Sequence, residues 1–260
     1  MSLVQSLSFT SGHVYFVGDL HGQYSLLLKA MRNVRFNPDN GDVLISVGDL
    51  VDRGPESLEV LSLLEKDWFY AVKGNHEDML LKGIEAIEGK GSLTDLWNWR
   101  DFNGGDWFKE NTDDANQVLR LLPKIKHLPI AIEIQTEIGC IGVVHASVPE
   151  NNWLNTELLQ DTATQKFVMW SRKNGLEARK QAYVTKKLGF KKSLLGLPET
   201  DSANAYNHHV TGIDAVVVGH TIMPNDEPAI LGNTLYLDVG CAKGAAPVLY
   251  RADKLLENLA

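Results

Sequence analysis

A short apolar run that ends in glycine and a polar residue recurs along this chain, and it constrains the fold more than any other feature. The runs are rich in β-branched and aromatic residues and occupy residues 14–19, 44–49, 70–75 and 216–220. Runs of this length and composition predict buried strands. The glycine permits a sharp turn or a close approach of the backbone. The polar residues at the four strand ends are Asp19, Asp49, Asn75 and His220.

Helix-like segments separate the first three of these strands. Apolar residues at helical spacing predict helices over 25–33 and 55–65. The alternation of strand and helix predicts an α/β fold. Polar residues collected at strand ends are how sheet-based enzymes assemble their sites, so we expect the strand ends to form one site.

We expect a single domain over 1–260, because no interdomain linker is recognisable and a chain of this length can bury one large core. Residues 77–126 are helix-like with a break at 103–105, and residues 149–212 are loop-rich. Two insertions, about 80–126 and 149–212, are expected to lie over the site. Further strands are predicted at 128–134, 140–145, 235–239 and 246–251.

Composition narrows the function class. The 25 basic and 33 acidic residues leave a net charge of −8, which disfavours capture of nucleic-acid phosphates as the main role. Cys140 and Cys241 are too few for a disulfide framework, which favours a reducing compartment. No apolar stretch approaches the roughly 20 residues of a membrane span, and the first residues do not form a signal peptide. We therefore expect a cytoplasmic protein, monomeric and not bound to membranes.

Candidate ligands follow from the spacing. Asp19 and His21 are two apart, so in an extended segment both point to one side and can ligate one metal ion. The carboxylate of Asp49 has two oxygens and can bridge two ions. Asn75 and His76 are adjacent and diverge, which suits one ligand and one general acid. A lone histidine at a strand end is more often a core residue, but four of the eight histidines lie at such positions: His21, His76, His145 and His220.

Three motifs in this chain resemble, in order and spacing, the signatures of the PPP family of metal-dependent phosphoprotein phosphatases. They are Gly18–Gly22, Gly48–Gly54 and Gly74–Glu77. His145 and His220 match the two later metal histidines of that family. The segments 170–172 and 103–107 are similar to the bacterial and phage branch, the lambda-phosphatase type.

The resemblance implies a calcineurin-like metallophosphoesterase fold, a four-layer αββα sandwich, with two divalent metal ions. It assigns Asp19, His21 and Asp49 to the first ion. It assigns the second ion to the bridging Asp49 together with Asn75, His145 and His220. This mixture of carboxylate, amide and imidazole ligands favours Mn²⁺, with Fe or Zn²⁺ also accommodated.

The resemblance also implies the roles of the remaining motif residues. A hydroxide that bridges the metals attacks phosphorus directly, without a phosphoenzyme. His76 protonates the leaving group as a general acid, and Asp52 orients His76. Arg53 and Arg172, with Asn75, bind the phosphate oxygens. Glu77 is expected to organise its turn.

The implied substrates are proteins or peptides phosphorylated on serine or threonine, and on tyrosine as well in a dual-specific member, with small phosphate esters cleaved in vitro. Symmetrical diadenosine tetraphosphate hydrolases share the metal motifs and form the main alternative. Asp52, Glu77 and Thr221 occupy the three positions where the two patterns differ, and all three favour the phosphatase. A non-catalytic scaffold of the same fold is disfavoured, because every expected ligand is present.

Overall fold

The computed structural model describes residues 3–195, with side chains to residue 186, and residues 208–260. Its strands form two sheets, numbered here in chain order. The larger sheet has the order β1 (Val4–Ser8), β5 (Ala131–Gln135), β6 (Cys140–Val144), β7 (Ala215–Val218), β9 (Thr234–Tyr236) and β8 (Ala229–Leu231). The smaller sheet has the order β10 (Leu249–Arg251), β2 (Val14–Val17), β3 (Val43–Ser46) and β4 (Phe69–Ala71).

Helices cover the outer faces of both sheets, except that the last helix packs through Leu255 and Leu256 into the layer between the sheets. They are α1 (Tyr24–Asn33), α2 (Ser57–Ser62), α3 (Asn75–Ile87), α4 (Leu93–Trp97), α5 (Asp113–Lys126), α6 (Thr162–Trp170), α7 (Lys173–Leu195) and α8 (Ala252–Leu259). A π-helical turn at Asn98–Phe102 follows α4, and a 3₁₀ turn at Gly105–Trp107 precedes α5.

Side chains alternate across the strands and so build three apolar layers. Phe16 and Ile45 of the smaller sheet pack between the sheets with Val143 and Val217 of the larger one. The opposite face of the smaller sheet packs on helices α1, α2, α3 and α5. The opposite face of the larger sheet packs on α6 and α7 through residues that include Val168. The layer order confirms the expected αββα sandwich.

The predicted strands and the first helix are present, with boundaries shifted by a few residues. The helix expected over 55–65 is shorter, because α2 ends at Ser62 and continues as a 3₁₀ turn. Strands β1 and β8 and helix α8 were not predicted. Strand β1 carries only two apolar residues, Val4 and Leu7, and it is recognisable only from its parallel pairing with β5.

The two segments expected to be insertions differ in their placement. Within 80–126, helix α5 buries Val118, Leu121 and Ile125 in the layer on the smaller sheet. Within 149–212, the structure is more helical than expected, since α6 and α7 occupy much of it. Residues 196–207 of that segment lie outside the described part of the chain.

Candidate active site

The carboxyl ends of parallel strands from both sheets meet at one edge of the molecule. Strands β2, β3 and β4 run parallel, as do β6 and β7. The backbone N–H of His220, after β7, donates to Oδ1 of Asp19, after β2, over 2.9 Å. The ring nitrogen Nδ1 of His145, after β6, lies 2.8 Å from the carbonyl oxygen of Val47, after β3. The sheet packing therefore brings together strand ends that are far apart in the chain.

Asp49 lies at the centre of this cluster and faces both halves of it. Its Oδ2 is 3.6 Å from Nε2 of His21, whereas its Oδ1 is 3.4 Å from Nε2 of His145. Oδ1 of Asn75 is 2.9 Å from the same nitrogen of His145, and Nδ1 of His220 is 3.1 Å from it. Asp49 is thus placed to share one carboxylate between two ions.

The hydrogen bonds of the histidines divide them into two kinds. His21, His145 and His220 each place one ring nitrogen at 2.8–3.1 Å from a backbone carbonyl oxygen, namely that of Val51, Val47 and Trp170. A neutral imidazole that donates there turns its other nitrogen, and the lone pair on it, toward the centre of the cluster. That is the usual outer support of a metal-ligating histidine. Nδ1 of His76 instead lies 2.6 Å from the Asp52 carboxylate, which is the support of an acid or base.

The backbone at the ligands is held in sparsely populated conformations. His21, Asp49 and His220 have φ of 45°, 51° and 66°, in the left-handed region that non-glycine residues rarely adopt. Such conformations persist where the surroundings over-determine them and are concentrated at functional sites. The strain therefore supports a ligand role for these three positions.

Glu77 holds the backbone of the turn that carries Asp49. Its fully buried carboxylate accepts hydrogen bonds from the backbone N–H groups of Asp49, Leu50 and Gly74 at 2.7–2.9 Å. Burial and the neighbouring Asp49 raise the pKa of Glu77, and the backbone donors oppose the shift. The observed bonds agree with the expectation that Glu77 organises the turn.

Two tryptophans that the motif analysis had not assigned to the site hold Asp52. The indole N–H of Trp99 donates to both carboxylate oxygens at 3.0 and 3.1 Å, and that of Trp107 donates to Oδ1 at 2.7 Å. Both come from the segment 93–107, which therefore contacts the site. The sequence signal was available but weak: an isolated tryptophan does not reveal its acceptor.

The two predicted phosphate-binding arginines lie at the exposed edge of the cluster. Nη1 of Arg53 is 2.9 Å from Nε2 of His21, and Nη1 of Arg172 donates to the carbonyl oxygen of His220 at 3.0 Å. Both guanidinium groups therefore approach the cluster from the side open to solvent.

Asp238 is a further buried acid of the cluster that the motifs did not reveal. Its carboxylate accepts a hydrogen bond from the N–H of Gly240 at 2.9 Å. Burial raises its pKa to about 6. Asp238 follows β9 and precedes Gly240, so its order of acid and glycine is the reverse of the order at the other strand ends.

The charges of the cluster are strongly interdependent. Burial raises the pKa of Asp19 above its usual range, and the charges of Asp238 and Asp49 add to this rise. Burial opposes ionisation of Asp49 too, but the facing histidines, His145 first, hold its pKa well below the usual range. Burial lowers the pKa of His21 and His220 to about 3. The pKa of His145 is raised to about 10, because Asp49 outweighs burial.

The donor set fits a binuclear metal centre. Ligand atoms of His21, Asp49 and His76 lie within 4.8 Å of one another, as do those of Asp49, His145 and His220. Asp49 is common to both groups. Two divalent ions held by such a buried set of carboxylates and imidazoles would neutralise its negative charge. His76 belongs to the first group by distance, but its bond to Asp52 distinguishes it from the other histidines.

A groove of about 790 Å³ lies beside the cluster, between α3 and α4 on one side and α6 on the other. Its lining combines apolar side chains such as Met79 and Trp170 with charged ones such as Lys82 and Lys166. The carbonyl oxygen of Trp170, 3.1 Å from Nε2 of His220, joins the groove to the ligand cluster. Among the helices within the described ranges, none is long and apolar enough to cross a membrane.

Comparison with protein families gives a match over residues 12–224 to calcineurin-like phosphoesterase. A curated relative, serine/threonine-protein phosphatase 2 of Escherichia coli (strain K12), is 32% identical over 240 residues, which cover 92% of each chain. The symmetrical bis(5'-nucleosyl)-tetraphosphatase of Actinobacillus succinogenes is 40% identical over 102 residues, which cover 37% of each chain.

Solved structures agree on the fold. The cold-active protein-tyrosine phosphatase of a psychrophile Shewanella species superposes with a TM-score of 0.54 at 17% identity, covering 97% of this chain and 78% of that one. At this identity the likeness establishes the architecture alone.

Proposed function

This chain belongs to the calcineurin-like phosphoesterase family, and we propose that it hydrolyses phosphate monoesters on serine and threonine side chains of proteins. The observation that carries this proposal is the buried pair of His76 and Asp52 beside the metal ligands. A relative that covers the chain almost end to end is a serine/threonine-protein phosphatase, which supports the same assignment.

We propose that Asp19, His21, Asp49, Asn75, His145 and His220 hold two divalent ions, with Mn²⁺ the first choice and Fe or Zn²⁺ also suited to these donors. When bound, the ions would activate water for in-line attack on phosphorus and offset the charge of the phosphate. Asp49, whose two carboxylate oxygens face the two halves of the cluster, would be shared between the two ions.

His76 acts on the leaving group. Its Nε2 lies 3.9 Å from Oδ2 of Asp49, so it faces the place where the phosphate ester would sit. Departure of a serine or threonine alkoxide is slow without a proton, and a positioned acid contributes about 10²–10⁴-fold. Asp52 accepts the other ring N–H of His76 and so keeps Nε2 directed at the leaving oxygen.

Arg53 and Arg172 bind the phosphate oxygens in this proposal. A planar guanidinium matches two phosphate oxygens better than an ammonium group does. Both side chains start from the exposed edge of the cluster, where an incoming phosphate would first arrive. For an incoming phosphate, this local positive charge matters more than the net charge of −8 of the whole chain.

The groove beside the cluster supports a polypeptide substrate. Its volume of about 790 Å³ can accommodate several side chains, and both apolar and charged residues line it. We further propose that the protein acts as a cytoplasmic monomer, with no nucleic acid or membrane as a partner.

Symmetrical hydrolysis of diadenosine tetraphosphate is the second candidate, favoured by the 40% identity to the tetraphosphatase relative over part of the chain. Its leaving group is a nucleotide phosphate, which departs without strong acid assistance. The His76–Asp52 pair is of less use to that reaction than to monoester hydrolysis, so we rank it second.

A substrate panel tests the proposal. The metal-free protein, reloaded with Mn²⁺, is given p-nitrophenyl phosphate, phosphoserine and phosphotyrosine peptides, and diadenosine tetraphosphate, each with and without chelator. We expect metal-dependent release of phosphate from the phosphoserine peptide at a kcat/KM above that for the dinucleotide. Preference for the dinucleotide would establish the second candidate. Absence of any metal-dependent turnover would contradict an enzymatic role.

A further inference from the structure

We propose that Trp99 and Trp107 are positioning residues for the leaving-group acid: their indole N–H groups fix the Asp52 carboxylate so that Oδ2 faces Nδ1 of His76. This inference deepens the proposed function and rests on it. Both indoles reach the site through their hydrogen bonds to Asp52, so both act through that carboxylate.

The hydrogen bonds leave the carboxylate one orientation. Trp107 donates to Oδ1 at 2.7 Å, and Trp99 is shared between Oδ1 at 3.0 Å and Oδ2 at 3.1 Å. Oδ2 retains its short contact of 2.6 Å with His76. Rotation of the carboxylate would break the bonds to both indoles. The two indole donors therefore keep Oδ2 of Asp52 facing Nδ1 of His76.

A purely structural explanation accounts for Trp99 but not for Trp107. Trp99 is fully buried in the core, and a buried indole N–H requires an acceptor wherever it lies. Trp107 is only partly buried, so its N–H could be satisfied by water. Its bond, at 2.7 Å, is nevertheless the shortest of the three indole contacts to Asp52.

The backbone between the two tryptophans is built to deliver both of them. Trp99 lies in the π-helical turn Asn98–Phe102, a conformation that often occurs at functional sites. Gly104 has a φ of +83°, and its carbonyl oxygen accepts the N–H of Arg53 at 3.1 Å. A Cβ on Gly105 would lie 2.3 Å from Nε1 of Trp99. The turn therefore clamps the Asp52–Arg53 segment and leaves room for the indole.

The physical consequence concerns the leaving group. The carboxylate of Asp52 is fully buried, and a buried charge is tolerated only when hydrogen bonds satisfy it. With fewer donors it gains freedom to turn away from His76, and proton delivery becomes less efficient. Only substrates whose leaving group needs a proton should be affected.

Trp107→Phe tests this directly, because it removes the N–H and keeps the ring at a partly exposed position. We expect kcat/KM for a phosphoserine peptide to fall roughly tenfold to hundredfold, the size of one hydrogen bond to a charged group. For p-nitrophenyl phosphate, whose leaving group departs unassisted, we expect little change. Across a series of aryl phosphates the rate should depend more steeply on leaving-group basicity than in the wild type.

The matched control is Trp97→Phe, which changes an exposed indole on the neighbouring helix α4. It should leave the turnover of both substrates unchanged. Trp99→Phe is expected to show the same selectivity as Trp107→Phe. Because Trp99 is buried, the melting temperature of this variant is also measured, so that a loss of activity through unfolding is recognised. In an Asp52→Asn background, Trp107→Phe should have no further effect, since it acts through that carboxylate.

Equal losses on the phosphoserine peptide and p-nitrophenyl phosphate, no loss on either, or a full additional loss in the Asp52→Asn background would each overturn the proposal. A wild-type protein that cleaves aryl phosphates but no phosphopeptide would instead overturn the proposed substrate. In that case the aryl phosphate series decides the role of the tryptophans by itself.

Discussion

Asp49 presents one carboxylate oxygen to each half of the ligand cluster, with His21 opposite Oδ2 and His145 opposite Oδ1. The histidines around it are distinguished by what they donate to: backbone carbonyls for the three predicted ligands, and a carboxylate for His76. In the proposed function, this difference of a single hydrogen-bond acceptor separates the three metal-binding histidines from the acid.

Replacing His76 by asparagine tests that separation. Turnover of alkyl phosphates should fall about 10²–10⁴-fold, because the leaving alkoxide loses its acid. Metal content, measured by atomic emission after dialysis, should stay at two ions per chain. His145→Asn is the comparison variant, in which metal should be lost. If His76→Asn also lost its metal, His76 would be a ligand, as its distance to Asp49 and His21 permits.

Metal loading should release a proton. In the metal-free protein burial disfavours protonation of His145, but Asp49 raises its pKa to about 10, so it is protonated at neutral pH and must lose that proton to bind an ion. We expect about one proton released per chain at pH 7.5 and tighter Mn²⁺ binding as the pH rises. Calorimetry in buffers of different ionisation enthalpy measures this, and pH-independent binding would contradict it.

The same shift predicts the stability of the metal-free protein. The pKa of His145 is raised from 6.5 to about 10 on folding, so its protonation stabilises the fold fully below pH 6.5. That contribution is lost as the pH rises through 10. The melting temperature measured in chelator should therefore fall between pH 7 and 10. In His145→Gln this fall should be smaller.

At the scale of elements, the glycines that end the strands lie where strand ends approach closely, between the two sheets at Gly219 and within the smaller sheet at Gly48. A Cβ on Gly219, after β7, would lie 2.1 Å from Oδ1 of Asp19 and 2.5 Å from Val47, both on the smaller sheet. Gly48 has a φ of +92°, and a Cβ there would lie 2.6 Å from the backbone of Gly74. Close approach of strand ends, more than chain reversal, explains these glycines.

Gly219→Ala should therefore displace Asp19 and weaken Mn²⁺ binding about 10–100-fold, the usual cost of disturbing the support of a ligand. Gly89→Ala is the control, because this glycine at the end of α3 has a positive φ but meets nothing within 4 Å. It should reduce stability slightly and leave metal affinity unchanged. Normal Mn²⁺ affinity in Gly219→Ala would show that the sheets can separate locally.

At the scale of the whole molecule, the proposed ligands come from both sheets. Asp19, Asp49 and Asn75 follow strands of the smaller sheet, whereas His145 and His220 follow strands of the larger one. Ions bound between them would tie the two halves of the sandwich together.

Binding should accordingly raise the melting temperature. At a free Mn²⁺ concentration of 100 times Kd, linkage stabilises the folded state by about 2.7 kcal/mol, which corresponds to roughly 5–10 °C for a chain of this size. Thermal unfolding with Mn²⁺ and with chelator measures the difference. Asp49→Asn, which removes the shared carboxylate charge, should abolish most of it, and an unchanged melting temperature in the wild type would contradict binding between the sheets.

The sequence by itself determined the residues that are set by local geometry. The two-residue spacing of Asp19 and His21 assumed an extended segment, whereas His21 lies in a turn with a left-handed φ of 45°. Strand ends depend on backbone periodicity, which operates over a few residues, and the motifs were recognised by their resemblance to a family. They predicted the α/β fold and residues that the structure gathers at one edge.

Only the tertiary structure decided which distant groups meet. The bonds from Trp99 and Trp107 to Asp52 join residues 47 and 55 positions apart, and Asp238 reaches the cluster only through the pairing of β7 with β9. Strand β1 likewise exists because β5 completes its hydrogen bonds. Such contacts depend on how layers pack, because the free energy that stabilises them comes from burial shared between elements and not from the preferences of either segment alone.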